Sequence, residues 1–330
     1  MPGFASRRTG PIWIGTFEHI TPETAIEIAR DVFDLDVLTV ARLETERDDT
    51  FRLRTPARDL VLKVAHPGDD PSAIDLQTKA LLHAQARDPE LALPRLLETP
   101  EGDIAPTLDD RDSRIARVFT WLPGVLLADA VPDDDQLALL GESLGRVSTA
   151  LRGFEHHASE YPLAWDLAQA QKLRKLSEHD PIPVVDEALD RHERVVMPLF
   201  DELPRQVIHN DFNPGNIVVD PDDPEYVTGI FDFGDVIQSF RVADLAVALS
   251  YQLYPFGRSW DECAPFIEGF ERRVLLLDSE RSALKTLVIT RFAQRILIND
   301  WLVARGDGRP AVPLYREGIL ETLERLLGGT

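Results

Sequence analysis

Between the apolar couples Val207-Ile208 and Ile217-Val218, the chain places His209, Asn210, Asp211, Asn213, Pro214, Gly215 and Asn216. Each of Asp, Asn, Pro and Gly has its own backbone reason to sit in a turn. The same types suit a reactive loop. Asp211 can accept a proton from a substrate hydroxyl and orient it in line with a phosphoryl group, while His209 can brace the loop. A second stretch, GIFDFGD over 229–235, sets Asp232 at the end of an apolar run and two residues before Gly234. Hard cations such as Mg²⁺ or Mn²⁺ prefer carboxylate and amide oxygens and keep positions open for phosphates and water. Asn216 and Asp232 can supply two such oxygens from neighbouring loops.

The elements around these loops change character along the chain. PETAIEIARDVF (22–33) has helical spacing behind the N-cap candidate Thr21, with Glu23 in its first turn. VLTVARLE, FRLRT and DLVLKVAH (37–44, 51–55, 59–66) are short β-rich stretches that predict an antiparallel meander. SAIDLQTKALLHAQAR (72–87) returns to helical spacing, and RIARVFTWLPG is an apolar strand stopped at Pro123-Gly124. From about residue 134 the apolar periodicity is helical, interrupted only by QVIHND/NIVVD and VTGIFDF. The expected architecture is α+β and bilobal: a small antiparallel β N-lobe with one main helix, then a larger, mainly helical C-lobe. The expected bounds are 1–118 for the N-lobe, 119–124 for a hinge and 125–330 for the C-lobe.

The spacing His-x-Asp-x-x-x-x-Asn, followed by Asp-Phe-Gly and preceded by a β lobe carrying Lys63 in Val-Leu-Lys-Val, is the kinase-type order of catalytic loop, metal-binding Asp and phosphate-binding Lys. On ERDDTFRL, VLKVAH, IDLQTKALL, TWLPG, IHNDFNPGNI, GIFDFGD and ITRFAQR, in that order, the chain resembles the aminoglycoside phosphotransferase and choline kinase superfamily. Within it the resemblance is to hydroxylysine kinase-like proteins.

That resemblance implies a protein-kinase-like fold with Asp211 as catalytic base and His209 beside it, and Asn216 and Asp232 as metal ligands. Lys63 would meet the α- and β-phosphates of ATP or GTP. The resemblance further implies that Phe119, Thr120, Trp121 and Leu122 form the hinge against the purine edge, with Val218 also in the nucleotide site. Where the family carries a glutamate to support the lysine, this chain has Gln77, with Asp75 half a turn away, so either can take the role. Its phosphate loop, Glu46 to Thr50, contains no glycine and must use backbone N–H groups and the Thr50 hydroxyl. Asn210 stands where protein kinases have arginine, so control through a phosphorylated activation loop is not implied.

Other residues carry alternatives. Lys63 by itself could be a solvated strand lysine. Asp235 either assists the metal or caps the next segment, and Asp244 reads as an N-cap for the helix that follows. Arg291 and Arg295 lie four apart on one helical face, either in surface ion pairs or with one clamping a substrate carboxylate. Trp165 could line an acceptor pocket, although packing is the commoner fate of tryptophan. The remaining histidines show no metal-ligand spacing.

Composition narrows the partners. A formal charge of −22 argues against nucleic acid and anionic membranes, which need a basic footprint, and is compatible with an amine-containing acceptor. No apolar run approaches the roughly 18 to 20 residues of a membrane span. The Arg7-Arg8 pair has no apolar segment of ~7 to 15 residues after it, so a cytoplasmic protein is expected. A single cysteine, Cys263, can form neither an internal disulfide nor a thiolate metal cluster. The expected activity is transfer of the γ-phosphoryl group of a nucleoside triphosphate to a hydroxylated amino acid or amino alcohol. Two rivals remain: an aminoglycoside-type antibiotic phosphotransferase, and a catalytically silent protein that binds only a nucleotide or a partner. Oligomeric state is not legible.

Overall fold

The computed structural model describes residues 17–45, 48–178, 180–304 and 312–328, with side chains from 315 onward in the last stretch. Glu46 and Arg47 of the expected phosphate loop, His179, and the Arg7-Arg8 pair lie outside the described residues.

Helix α1 (Pro22–Phe33) starts as its sequence predicts, with the Thr21 side chain accepting the Thr24 N–H and Glu23 in the first turn. Strands β1 (Thr39–Leu43), β2 (Asp49–Arg54) and β3 (Asp59–Val64) form the meander. Helix α2 (Pro71–Arg87), β4 (Leu96–Leu97) and β5 (Ala116–Thr120) follow. The five strands make one antiparallel sheet in the order β1-β2-β3-β5-β4. Period-two alternation divides its faces. Phe51, Leu53, Leu60, Leu62, Val64, Ala116 and Val118 join Ala25, Ala29 and Phe33 of α1 in one apolar cluster. Burial of each large side chain there is worth roughly 1.5–3 kcal/mol. The opposite face therefore belongs to Thr50, Val61, Lys63, Arg117 and Phe119, with Lys63 paired in register to Thr50 and Arg117.

Helix α2 packs the other way. Its Leu76, Ala80, Leu81 and Ala84 belong to the larger cluster built by the C-terminal helices. Polar ties hold it there too: Asp75 meets His156 at 2.9 Å, and Asp88 receives two Arg146 bonds at 2.9 Å each. The helix on which the resemblance places the lysine's partner is thus fixed to the larger lobe at both ends.

After β6 (Val125–Leu126), helix α3 (Asp134–Ala150) begins in a capping box between Asp133 and Gln136. The stretch LAWDLAQAQKLRKL, expected to be an ordinary helix, is a 3-10 helix over Leu167–Leu176 capped by Asp166. Then come α4 (Pro183–Val195), β7 (Arg205–Ile208), β8 (Ile217–Val219), β9 (Val227–Ile230) and β10 (Ile237–Phe240). Strand β10 was not expected. Helices α5 (Arg241–Leu253), α6 (Ala264–Glu271), α7 (Asp278–Ala304) and α8 (Val312–Gly328) complete the lobe. Helix α7 is its axis, with Leu287 to Ile296 continuously buried and α4, α5 and α8 packed on it.

The small strands pair as β6-β8-β9 and β7-β10. Loop 209–216 therefore runs from β7 to β8, and loop 231–236 runs from β9 to β10. Each loop leaves one small sheet and enters the other, which brings Asp211 and Asp232 to the same edge beneath the face carrying Lys63. No described helix is long and apolar enough to cross a membrane.

Candidate active site

The first loop is held rigidly from its buried side. Asn210 has a left-handed backbone (φ 63°), which asparagine adopts more readily than most residues. The two N–H groups at this bend point to one acceptor: Asp244 takes His209 N–H at 3.1 Å and Asn210 N–H at 2.6 Å. Expected as an N-cap, Asp244 instead lies inside α5, which begins at Arg241, and its side chain is fully buried. Burial pushes its carboxyl up to about 6, opposed by the two N–H donors.

His209 joins the two loops. Its Nδ1 accepts the Asp211 N–H at 3.3 Å, so Nε2 carries the proton and donates to the Phe231 carbonyl at 3.2 Å. Its ring meets Phe233 edge-on at 4.8 Å. Burial lowers its pKa to about 4, against the pull of Asp232 and the Phe231 carbonyl, so the imidazole is neutral near pH 7. It braces the loop and does not line the cleft.

Asp211 Oδ1 accepts from Asn213 at 2.8 Å, and Oδ2 accepts from the Asn216 amide nitrogen at 2.7 Å. Burial first, then repulsion from Asp235 and Asp232, raises its pKa well above the usual carboxylate range, with Asn213 and Arg291 opposing. A carboxylate whose proton affinity is raised in this way suits a general base.

On the second loop, Asp232 also has a left-handed backbone (φ 60°), and its Oδ1 accepts the Gly234 N–H at 3.1 Å. A Cβ at position 234 would sit 2.9 Å from that oxygen, so a larger residue there would push on the Asp232 carboxylate. Lys63 Nζ lies 3.5 Å from Asp232 Oδ1 and 3.1 Å from Asp48 Oδ2. Burial alone would lower the lysine's pKa, but attraction to Asp232 and Asp48 outweighs it and the net shift is upward. Attraction to Lys63 in turn holds Asp232 low.

Neither expected partner supports Lys63. Gln77 accepts from Arg117 at 3.2 Å, and Asp75 is engaged by Lys79 and His156, each at 2.9 Å. Asp48 takes the position because it is a full charge just before β2, the strand beside β3, whereas Gln77 is neutral. Asp49, the next residue of the phosphate loop, is buried against Arg42 and Arg114, each at 2.7 Å.

These groups line a cleft of about 1020 Å³ that includes Lys63, Asp48, Asp211, Asn216, Asp232, Asp235 and Trp165. Beside it lies a more apolar slot of about 400 Å³, walled by Thr50, Phe119, Thr120, Trp121, Leu122 and Val218. Lys63, Gln77 and Asp232 belong to both cavities. Thr50 is nearly buried, and its hydroxyl accepts from Thr45 at 3.3 Å. Asp235 lines the same cleft as Asp211 and acts on its charge, and strand β10 rather than a helix follows it.

Arg291 fits neither of its expected roles. It is 2% exposed and stands behind Trp165, donating to the Trp165 carbonyl at 2.9 Å with its guanidinium 4.6 Å over that ring. It does not reach the cleft lining, although Asp211 feels its charge. Arg295 is likewise buried, bonded to the Tyr254 carbonyl at 3.2 Å. The sequence pattern placed Asp48 in the phosphate loop and Asp244 as an N-cap without seeing their contacts to Lys63 and to the 209–210 turn, and it did not single out Arg117. A charged residue inside the apolar run RIARVFT was the one signal available for Arg117.

The oxygen donors suit a hard cation. With its amide nitrogen turned to Asp211, Asn216 presents its carbonyl oxygen, and Asp232 presents a carboxylate. Among the described residues no group of three or more His, Cys, Asp or Glu could hold a metal. A cation here would draw its remaining ligands from phosphate and water, as Mg²⁺ does.

The sheet face bearing Lys63 closes over the loops bearing Asp211 and Asp232, and this fold and cleft define a small-molecule kinase. Residues 39–284 match the phosphotransferase enzyme family, APH, and the chain belongs to it. A hydroxylysine kinase of Danio rerio is 25% identical over 84% of this chain and 82% of its own. A homoserine kinase of Gluconacetobacter diazotrophicus is 28% identical over 84% and 86%. Among solved structures, a microcompartment-associated aminopropanol kinase superposes with a TM-score of 0.72 at 18% identity, covering 93% of this chain and 98% of that one. The protein is an enzyme that transfers a phosphoryl group from a nucleotide donor to an alcohol group of a small molecule.

Proposed function

We propose that the protein phosphorylates the hydroxyl of a hydroxylated amino acid or amino alcohol, with Mg²⁺ and ATP or GTP, in the cytoplasm. The observation that carries this reading is the acceptor side of the cleft. There Asp211, Asp235 and Trp165 line one cleft, with Asp235 near enough for its charge to act on Asp211, so a hydroxyl can meet Asp211 while an ammonium group is attracted by the paired acidic charge. The relatives named for hydroxylysine, homoserine and aminopropanol agree with an acceptor that carries both an amine and a hydroxyl.

In this reading residues 1–118 form the nucleotide-gripping lobe, 119–124 the hinge and 125–330 the catalytic lobe. The purine lies in the apolar slot. There the Trp121 N–H already bonds to the Asp59 carbonyl at 3.2 Å, leaving the Leu122 N–H for the base edge. Lys63 exchanges Asp48 for the α- and β-phosphates. Asn216 and Asp232 hold the cation, which when bound neutralises charge on the phosphates. Asp211 accepts the hydroxyl proton and aims the oxygen at the γ-phosphorus, while His209 and Asp244 keep it in place. Positioning and electrostatics then supply most of the rate enhancement.

The test is nucleotide consumption with hydroxylysine, homoserine, aminopropanol, choline, ethanolamine, methylthioribose and aminoglycosides, each with ATP and with GTP. Highest kcat/KM on a small amino alcohol or hydroxy-amino acid is expected. Preference for an aminoglycoside, or turnover of none of them, would overturn the acceptor assignment.

A further inference from the structure

Arg117 stands on β5 opposite Lys63 in the β3–β5 register, on the same face of the sheet. It is 3% exposed, yet among the described residues no carboxylate comes within ion-pair distance of it. Its bonds go to neutral groups on α2: Nη1 to the Thr78 hydroxyl at 3.3 Å and Nη2 to the Gln77 carbonyl oxygen at 3.2 Å. Among the described residues the buried Nε has no hydrogen-bond partner. Buried guanidinium groups are ordinarily paired, because desolvating an uncompensated charge is costly. This one forms part of the wall of the apolar slot, beside Lys63, Gln77 and Asp232.

We propose that Arg117 is a positioning residue of the nucleotide site, a cation bonded to no carboxylate, attracted only from a distance by Asp48, Asp232 and Asp69, and held behind Lys63 so that it drives the lysine forward and favours a polyphosphate in the cleft. Like-charge repulsion pushes the Lys63 ammonium off the sheet toward Asp48 and Asp232, its two partners on the cleft side. Lys63 and Arg117 balance Asp48 and Asp232 before nucleotide arrives. The incoming phosphates displace Asp48 from Lys63, and the Arg117 charge, acting through a poorly solvated wall, favours the anion with several charges over the one with a single charge. Gln77 then has a physical reason to be an amide. It ties α2 to the sheet through Arg117 without cancelling the cation, which a carboxylate at 77 would do.

This inference rests on the reading of the cleft as a nucleotide site, and the experiment separates the two. Binding of Mg²⁺–ATP is measured by calorimetry for the wild type, Lys63→Met, Arg117→Gln, Arg117→Lys and Gln77→Glu, alongside thermal melting and KM and kcat for nucleotide. Arg117→Gln is expected to weaken nucleotide about tenfold or more, chiefly in KM, and Arg117→Lys to restore most of that loss. Gln77→Glu is the sharper variant, since residue 77 is only half-buried and its change leaves Arg117 in place. It is expected to weaken nucleotide about as much as Arg117→Gln while melting no lower than wild type. If Arg117 merely anchors α2, the ionic partner improves the anchor and nucleotide binding holds or tightens, which overturns the proposal. Unchanged affinity in Arg117→Gln overturns it as well. Loss of binding in Lys63→Met with normal binding in both position-117 and position-77 variants refutes only the role of Arg117. A wild type that binds no Mg²⁺–ATP, or a Lys63→Met protein that binds it as tightly as the wild type, removes both readings.

Discussion

The Asp244 carboxylate accepts the Asn210 N–H at 2.6 Å, joining the first turn of α5 to the residue just before Asp211. The left-handed turn at Asn210 directs consecutive N–H groups inward, and buried N–H groups need acceptors. Asp244→Asn keeps one acceptor oxygen and leaves one N–H short of a partner, at a cost of about 1–3 kcal/mol. We expect kcat to fall ~10- to 100-fold through misplacement of Asp211, with nucleotide affinity little changed. Wild-type kcat in this variant would remove Asp244 from the positioning set.

The same carboxylate makes stability depend on pH. Its pKa rises from an ordinary 3.8 to about 6 on folding, so the folded state favours the protonated form. Its contribution is full below about 3.8 and is lost as pH rises through about 6, a difference on the order of 3 kcal/mol. Denaturant unfolding between pH 4 and 7 should show the wild type losing stability relative to Asp244→Asn. Parallel curves for the two proteins would contradict the assignment.

Asp211→Ala is expected to reduce turnover by at least ~10³-fold while Mg²⁺–nucleotide binding persists. Because Asp235 helps to raise the Asp211 carboxyl, Asp235→Asn lets it ionise at lower pH. The acid limb of the kcat/KM profile should therefore move downward in pH. An upward move, or none, would show that Asp235 does not act on the base.

Asp232→Ala removes the carboxylate of the cation site and one partner of Lys63. Nucleotide affinity should drop ~10- to 100-fold in Mg²⁺ and change little in chelator. Equal losses in both conditions would assign Asp232 to packing alone.

His209→Gln tests a brace rather than a proton carrier. With its pKa near 4, the imidazole does not titrate in the working range. We expect kcat to fall ~10- to 100-fold with the shape of the pH profile unchanged above about pH 5. Disappearance of an ionisation near neutrality would assign the histidine to acid–base chemistry.

The residues of the candidate site were legible because their pattern is written locally. His209, Asp211, Asn216 and Asp232 sit on short loops whose spacing is set by flanking strands, and Lys63 sits at a period-two position opposite a buried face. The helical lobe was equally plain from periodicity. Strand β10 was not, since four residues carry too few repeats to show a period. Nor was the 3-10 geometry of Leu167–Leu176, which shares its apolar spacing with an ordinary helix.

By itself, the sequence determined the two-lobed α+β architecture and the residue types at the centre of the cleft, because periodicity and loop spacing depend on neighbours in the chain. Tertiary structure alone decided the partners. Asp48, not Gln77 or Asp75, meets Lys63; Asp244 buries its carboxylate under loop 209–216; Arg291 backs Trp165; and Arg117 bonds to the neutral Gln77 and Thr78. Which charges meet depends on contacts between segments far apart in the chain, and the cost of burying each charge depends on how many atoms the fold packs around it.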